Sequence, residues 1–289
     1  MPDIPAQDPV ATTAPDEPEP AKNERDLTQV TGGLLAGLAS QVAILTAILV
    51  YFGWVRARAT YGYFGVDVSA LNFSVQDYLL RGIDAAFPLL IVIGLIVVCV
   101  MIWHEQLQAR LTANTAMINR AAGAGAVLVL VGLLLGVELK GSGGSYFPGP
   151  AMTMIGFALA AYALAARNKS FYLIALGGMA LVAFVWTVAS YASFVGTQRA
   201  EQVAATLTTS PEVTVYSISN LDLTGPGVTM TPVEDSEYHV AYGGLRLLVD
   251  SGGNYFLLPE GWRQGRGSVV VLATTAPDIR IEFTAAPPG

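Results

Sequence analysis

The chain has 289 residues, 53% of them hydrophobic and 13% charged, where an ordinary soluble domain carries about 25% charged residues. One large soluble globule is therefore excluded. Fifteen Lys and Arg against 22 Asp and Glu give a net charge of -7, unevenly spread: residues 1–29 hold 2 basic and 7 acidic groups, 30–195 hold 8 and 5, and 196–289 hold 5 and 10. The single cysteine, Cys99, excludes an intrachain disulfide and a Cys-rich metal site.

Residues 1–29 contain Pro2, Pro5, Pro9, Pro15, Pro18 and Pro20 among scattered acids and few large apolar side chains. Such a segment buries too little surface to offset its ordering entropy, and it reads as a disordered tail. A secretory signal would place its apolar stretch straight after a basic start. Here the apolar stretch begins near residue 31, so the first span is expected to act as an uncleaved targeting element.

Thr31 to Trp54 is a run of 24 uncharged residues, which as a helix reaches about 36 Å, beyond the roughly 30 Å hydrocarbon core. Uncharged runs at 85–103 (19 residues) and 171–195 (25 residues) also meet the length of a span. The run at 121–137 is shorter, with 17 residues, but its VLVLVGLLLGV centre is strongly apolar. The run at 151–166 is the weakest and borrows Tyr146 and Phe147 to give a span at about 146–166. Five spans within 30–195 is the count, and four is the alternative. These runs are apolar on every face, unlike the amphipathic helices of a soluble core.

Orientation follows Lys and Arg near the span ends. Six stand on one side and five on the other, but density separates them: two loops on one side hold four cations in 21 residues, and two on the other hold four in 43. The reading is a multi-pass protein of the cell membrane with a cytoplasmic N-terminus and an extracytoplasmic C-terminal domain.

After Val195 the pattern changes to short alternating runs broken by Gly, Pro and Asp, which predicts a β domain over 196–289. Strands are expected at Val213–Ser219, Tyr238–Tyr242, Ser268–Ala273 and Ile279–Phe283. A hairpin is expected where Leu245, Leu247 and Val249 share one face, Arg246 and Asp250 the other, and Tyr255–Leu258 returns after Ser251-Gly252-Gly253. About six strands in 94 residues suit a small sandwich or barrel. Its net charge of -5 argues against nucleic acid or an anionic membrane surface as partner.

Two stretches, YFGWVRARATYGYFGVDVSALNFSVQDYLLR at Tyr51–Arg81 and GGLRLLVDSGGNYFLLPEGW at Gly243–Trp262, resemble uncharacterised multi-pass membrane proteins of high-GC actinobacteria. The resemblance covers about a sixth of the chain and implies an architecture and a source, with no activity attached. The usage of 12 Arg to 3 Lys fits a GC-rich coding sequence.

Signals for chemistry are sparse. Proton-coupled transporters keep ionisable groups inside their spans, whereas here Asp84, His104 and Glu105 stand only at the edges of the second, where interfacial water can solvate them. His104-Glu105 lacks the second histidine of a zinc protease helix, and His239 reads as a plain strand residue. The run Glu234–Glu237 lacks a calcium loop's ligand alternation and reads as a solvated acidic loop, and Gly141–Ser145 reads as a flexible connector. No nucleophile elbow, phosphate loop or dinucleotide fingerprint is present. The expectation is a non-enzyme without cofactor or metal.

Two features stand out. Gly33 with Gly37, and Gly132 with Gly136, are four apart on apolar helices and permit close backbone approach, either among the protein's own spans or in a homo-oligomer. The 55–84 loop holds Tyr61, Tyr63, Phe64, Phe73 and Tyr78. These aromatics fit either an interfacial belt or a docking platform for the β domain. The reading is thus a membrane anchor or scaffold presenting its β domain to an extracytoplasmic protein or envelope ligand. The alternative is an oligomeric channel or passive transporter using Ser40 and Gln41, or the stripe Thr187, Ser190, Tyr191 and Ser193.

Overall fold

In a computed structural model, which describes residues 21–138, 147–165, 170–234 and 236–284, five long helices precede an antiparallel sheet. The helices are α1 (Ala21–Tyr63), α2 (Val75–Ala113), α3 (Thr115–Glu138), α4 (Pro148–Ala165) and α5 (Ser170–Ala205). Each contains a stretch long and apolar enough to cross a membrane. Large apolar side chains such as Leu95, Met101, Leu134, Ile174 and Leu181 stand exposed along them. Residues Met1–Thr46 and Ala47–Gly289 form two compact units, and the packing described below belongs to the second.

Several helices outrun the uncharged stretches. Ala21 to Gln29, expected in a disordered tail, stand in the first turns of α1, because past Pro20 the segment AKNERDLTQ holds good helix formers and no proline. Residues 1–20 and 139–146, with the predicted connector, lie outside the described residues. The 30-residue loop expected at 55–84 shrinks to Phe64–Ser74, since α1 runs on through Arg56 and Arg58 to Tyr63 and α2 begins at Val75. Arginine interrupts an uncharged run but is a good helix former. The expected 104–120 loop is likewise helical except at Asn114, whose side chain accepts from the Ala116 amide at 2.9 Å to start α3. At the C-terminal side, α5 extends ten residues beyond 195 to Ala205 through the helix-forming TQRAEQVAA segment.

Glycine sets the contacts between helices. α3 and α4 run antiparallel with Gly125 against Gly156 and Gly132 against Gly149, pairs seven residues apart on each helix. A Cβ on Gly156 would lie 2.6 Å from the Gly125 carbonyl oxygen, and one on Gly132 would lie 2.7 Å from that of Gly149. α1 meets α2 where a Cβ on Gly82 would lie 2.5 Å from the Leu49 carbonyl oxygen, and meets α5 where one on Gly196 would lie 2.5 Å from that of Arg56.

Six strands follow: β1 (Glu212–Ser217), β2 (Thr229–Pro232), β3 (Val240–Ser251), β4 (Asn254–Pro259), β5 (Val270–Ala273) and β6 (Ile279–Thr284). All pair antiparallel in one sheet of order β5-β4-β3-β1-β6, with β2 also on β3. The expected strands at 238–242 and 245–250 are one continuous strand, β3, and β2 was not anticipated. β3 pairs with β1 through Val240–Arg246, while β2 and β4 occupy successive stretches of its other edge. Gly252 (φ 60°) and Gly253 (φ 75°) form the tight β3–β4 turn, the left-handed pair that a two-residue hairpin needs.

The sandwich or barrel expectation is corrected to a single curled sheet. Val213 and Val215 of β1, Tyr242 and Leu245 of β3 and Leu257 of β4 share one core with Ile281 of β6 and Val270 and Leu272 of β5. The curl brings Tyr255 of β4 within 5.9 Å of Phe283 of β6 between ring centres. Among the described residues no ladder joins β5 to β6, so the roll stays open there.

Candidate functional site

The connection between α1 and α2 is short and locally fixed at both ends. α1 ends in a Schellman motif: the Val66 amide donates to the Tyr61 carbonyl at 3.0 Å and the Gly65 amide to that of Gly62 at 3.1 Å, with Gly65 at φ 83°. Val66 then packs in the same buried cluster as Tyr61, the apolar contact that completes such a cap. The 3-10 turn Val68–Leu71 is capped by Asp67, whose carboxylate accepts from the Ser69 amide at 2.8 Å and hydroxyl at 2.7 Å. α2 opens with a capping box. The Ser74 hydroxyl accepts from the Asp77 amide at 3.2 Å, and the Asp77 carboxylate takes the Ser74 amide at 2.8 Å and hydroxyl at 2.7 Å. These hydrogen bonds hold both carboxyls below the ordinary aspartate value.

The segment so fixed carries an aromatic face against the sheet. Tyr61, Val66, Val68 and Leu71 share a buried cluster with Phe256 of β4, flanked by Trp54, Phe73, Tyr78, Leu248 and Val249. Rings of Tyr61 and Phe73 lie 5.6 Å apart and those of Phe73 and Tyr78 5.8 Å, the latter edge to face. Partial burial raises the Tyr78 phenol, opposed by the neighbouring Arg81 charge. A second cluster joins Phe64 to Leu258 of β4, Trp262 just beyond it, Ala200 near the end of α5 and Leu207 in the 3-10 turn after it. Trp262 lies 4.8 Å from Phe64 and 5.9 Å from Tyr63 between ring centres. The Ser251 hydroxyl at the β3–β4 turn donates to the Leu71 carbonyl.

β4 explains how one strand serves two cores. Tyr255 and Leu257 face the roll interior, and Phe256 and Leu258 face the helix ends, so its NYFLLP sequence is apolar on both faces. The predicted face of Leu245, Leu247 and Val249 is broken by a bulge between Leu247 and Val249. Leu245 and Leu247 stay in the roll core while Leu248 and Val249 turn to the helices. Arg246, on the face opposite Leu245, is buried. It donates to the Ser210 carbonyl at 2.6 Å and pairs with Glu260 at 3.2 Å, tying the start of β1 to the end of β4.

Beside the first cluster lies a cavity of about 290 Å³ lined by Arg56, Ala57, Thr60, Tyr61, Arg81, Arg199, Val203 and Leu248. Arg81 donates to the Tyr61 hydroxyl at 2.9 Å and sits 4.2 Å over the Phe73 ring. Arg56 donates to the Arg81 carbonyl. The Thr60 hydroxyl reaches the Arg56 and Gly196 carbonyls, each at 3.0 Å, fastening α1 to α5.

All five aromatics singled out in the sequence lie in this region: Tyr61 and Tyr63 on the last turn of α1, Phe64 and Phe73 in the connection, Tyr78 on the first turns of α2. Gly132 and Gly136 lie on α3 against α4 and, for Gly136, the Trp186 ring of α5. Gly37 is exposed with no atom within 4 Å of a Cβ built on it, and Gly33 stands on α1 in a part whose surroundings are outside the described residues. Leu248, Phe256, Leu258, Trp262 and the arginine cavity were not singled out. Unbroken apolar character in Tyr255–Leu258 was the available signal for Phe256 and Leu258, and none was present for the cavity, whose arginines are far apart in sequence.

Of the other residues singled out, His104 meets the Tyr162 hydroxyl of α4 at 3.0 Å, and His239 meets the Ile218 carbonyl at 2.7 Å. Asp235 of the acidic run lies outside the described residues. Thr187 is buried and donates its hydroxyl to the Ala183 carbonyl at 2.7 Å, and the Tyr191 ring lies between Phe52 and Phe147. Among the described residues no three His, Cys, Asp or Glu gather as a metal site would require. No family model, curated protein or solved structure matches the chain.

Proposed function

We propose that this is a multi-pass protein of the cell membrane, crossing it five times with the N-terminus in the cytoplasm, and that it serves as a non-enzymatic scaffold holding its β roll rigidly on the extracytoplasmic helix ends for recognition of an envelope protein or ligand. The observation that carries the reading is the pair of buried clusters joining the ends of α1 and α5 and the α1–α2 connection to β4. A freely tethered module would need no such seam, whereas a presented surface gains from one, because rigid placement lowers the ordering cost of binding. The acidic roll favours a neutral or cationic partner. The polar stripe of α5 lends the channel reading little support, since the Thr187 hydroxyl is engaged within its own helix.

The test is site-specific photo-crosslinking in intact cells from the full chain, with the probe at Met230 or Phe283, exposed on the roll, and at Ile174, exposed on α5. The expected result is a discrete protein or glycan adduct from the two roll positions and lipid adducts alone from Ile174. Lipid adducts from all three positions would contradict it.

A further inference from the structure

We propose that the outer edge of β6 is a self-association surface, on which a second copy of this chain pairs antiparallel, β6 against β6, about a two-fold axis through Ile281. β6 ends the sheet: it pairs with β1 on one side and, among the described residues, with no strand on the other. The register fixes which backbone groups face outward. The Ile218 amide donates to the Asp278 carbonyl at 3.1 Å, so Asp278, and by alternation Arg280, Glu282 and Thr284, turn their backbone groups to β1. Those of Ile279, Ile281 and Phe283 point away from it. The Ile279 amide is taken up by the Ala276 carbonyl at 3.5 Å in the turn before the strand. The amides and carbonyls of Ile281 and Phe283 are therefore the groups that an added strand would pair.

The side chains make this edge complementary to itself. Arg280 and Glu282 flank Ile281 on the outer face, each about half exposed. With Ile281 opposite Ile281 of the second copy, each Arg280 falls opposite a Glu282 and each Glu282 opposite an Arg280. These are non-hydrogen-bonded positions, where Cα atoms stand only about 4.5 Å apart and cross-strand charge pairs lie closest. A shift of two residues in either direction, the smallest that keeps the outward groups paired, sets Glu282 against Glu282 or Arg280 against Arg280. The charges thus select one register.

Arg280 is already oriented by its own chain: it pairs with Glu282 and lies 4.9 Å over the Tyr216 ring and 5.6 Å over that of Tyr238. In the pair of copies, the two intrachain ion pairs close into one ring of alternating charge. On the other face Phe283, 50% exposed, comes opposite Ile279 of the second copy and leaves water.

The other free edges lack these properties. On β2 the Val233 amide donates to the His239 carbonyl at 2.9 Å, so Pro232 turns outward a nitrogen with no hydrogen to give. β5 is four residues long and carries no charge. β6 also takes no part in the clusters that fasten the roll to the helices. Pairing there leaves the scaffold reading untouched, whatever the roll recognises elsewhere.

The experiment uses the full chain in a non-ionic detergent, with donor and acceptor dyes on a terminal tag of separate batches, and reads the dimer dissociation constant by resonance energy transfer. Variants are Arg280→Glu, Glu282→Arg and the double Arg280→Glu/Glu282→Arg. The expected result is a wild-type dimer whose dissociation constant rises about tenfold or more in each single variant, since each sets like charges opposite one another. An equimolar mixture of the two single variants restores opposite charges across the axis, as does the double variant, and both should recover the affinity of the wild type. Recovery in the mixture, where neither chain keeps its intrachain ion pair, separates pairing between copies from an effect on folding. A wild type that stays monomeric at every concentration used would overturn the inference. So would a dimer indifferent to both charge reversals, which would place the contact elsewhere, or single variants whose loss neither the mixture nor the double variant recovers.

Discussion

Ser74 shows how one hydroxyl sets a helix start. It donates to Asp77 and accepts from the Asp77 amide, so Ser74→Ala leaves the first amides of α2 without a cap, at a cost of about 1 kcal/mol. A melting midpoint lowered by a few degrees in detergent is the expected result. Asp67 and Asp77 give this region a pH dependence. Their folded values lie below the ordinary one, so their stabilisation is fully present above the unfolded carboxyl range and is lost as pH falls through the folded values. Melting measured from pH 7 down to pH 3 should therefore show a loss that shrinks in Asp67→Asn/Asp77→Asn; an unchanged slope would contradict it. At the seam, Trp262 is buried against Phe64 yet its indole N–H has no hydrogen-bond partner among the described residues. Trp262→Ala should cost about 3–5 kcal/mol. Trp262→Phe should cost much less, because no hydrogen bond is forfeited, and equal losses would contradict this account.

Helix pairing in α3 and α4 depends on an absence of side chain at matched positions. Gly156→Leu forces a branched chain into the Gly125 carbonyl and Val129, and overpacking of this kind costs about 1–3 kcal/mol. Gly123→Leu, on the same pair of helices but with open space around it, should be nearly neutral. The contrast is measured by thermal unfolding of the two variants side by side. What was legible in the sequence follows the same division. The apolar helices were legible because long uncharged runs have few other homes, but their ends were not, since Arg56 and Arg58 stop an uncharged run without stopping a helix. The caps that mark the true ends, Gly65 for α1 and Ser74 with Asp77 for α2, are short local signals overshadowed by hydropathy. Likewise the Leu247–Val249 bulge is invisible to a period-two reading, which put Val249 on the wrong face.

From Ala47 onward the helices and the roll pack as one compact unit, and β4 is what unites them, with one face in each core. The five aromatics near the first connection were conspicuous in the sequence; their partners were not, because contacts between residues some 200 apart leave no periodicity. The cavity arginines went unnoticed for the same reason, each reading singly as an orientation signal. If the helices cross a bilayer, the α1–α2 connection and the roll must lie on one side of it, and the α2–α3 junction on the other. Cys99→Ala protein carrying a single cysteine at Ser69, Asn119 or Asp278, all exposed positions, tests this in intact cells with a membrane-impermeant maleimide. The account predicts labelling at 69 and 278 and protection at 119 until the cells are permeabilised. Labelling at 119 with protection at 69 and 278 would reverse the orientation, and any result that separates 69 from 278 would contradict the seam itself.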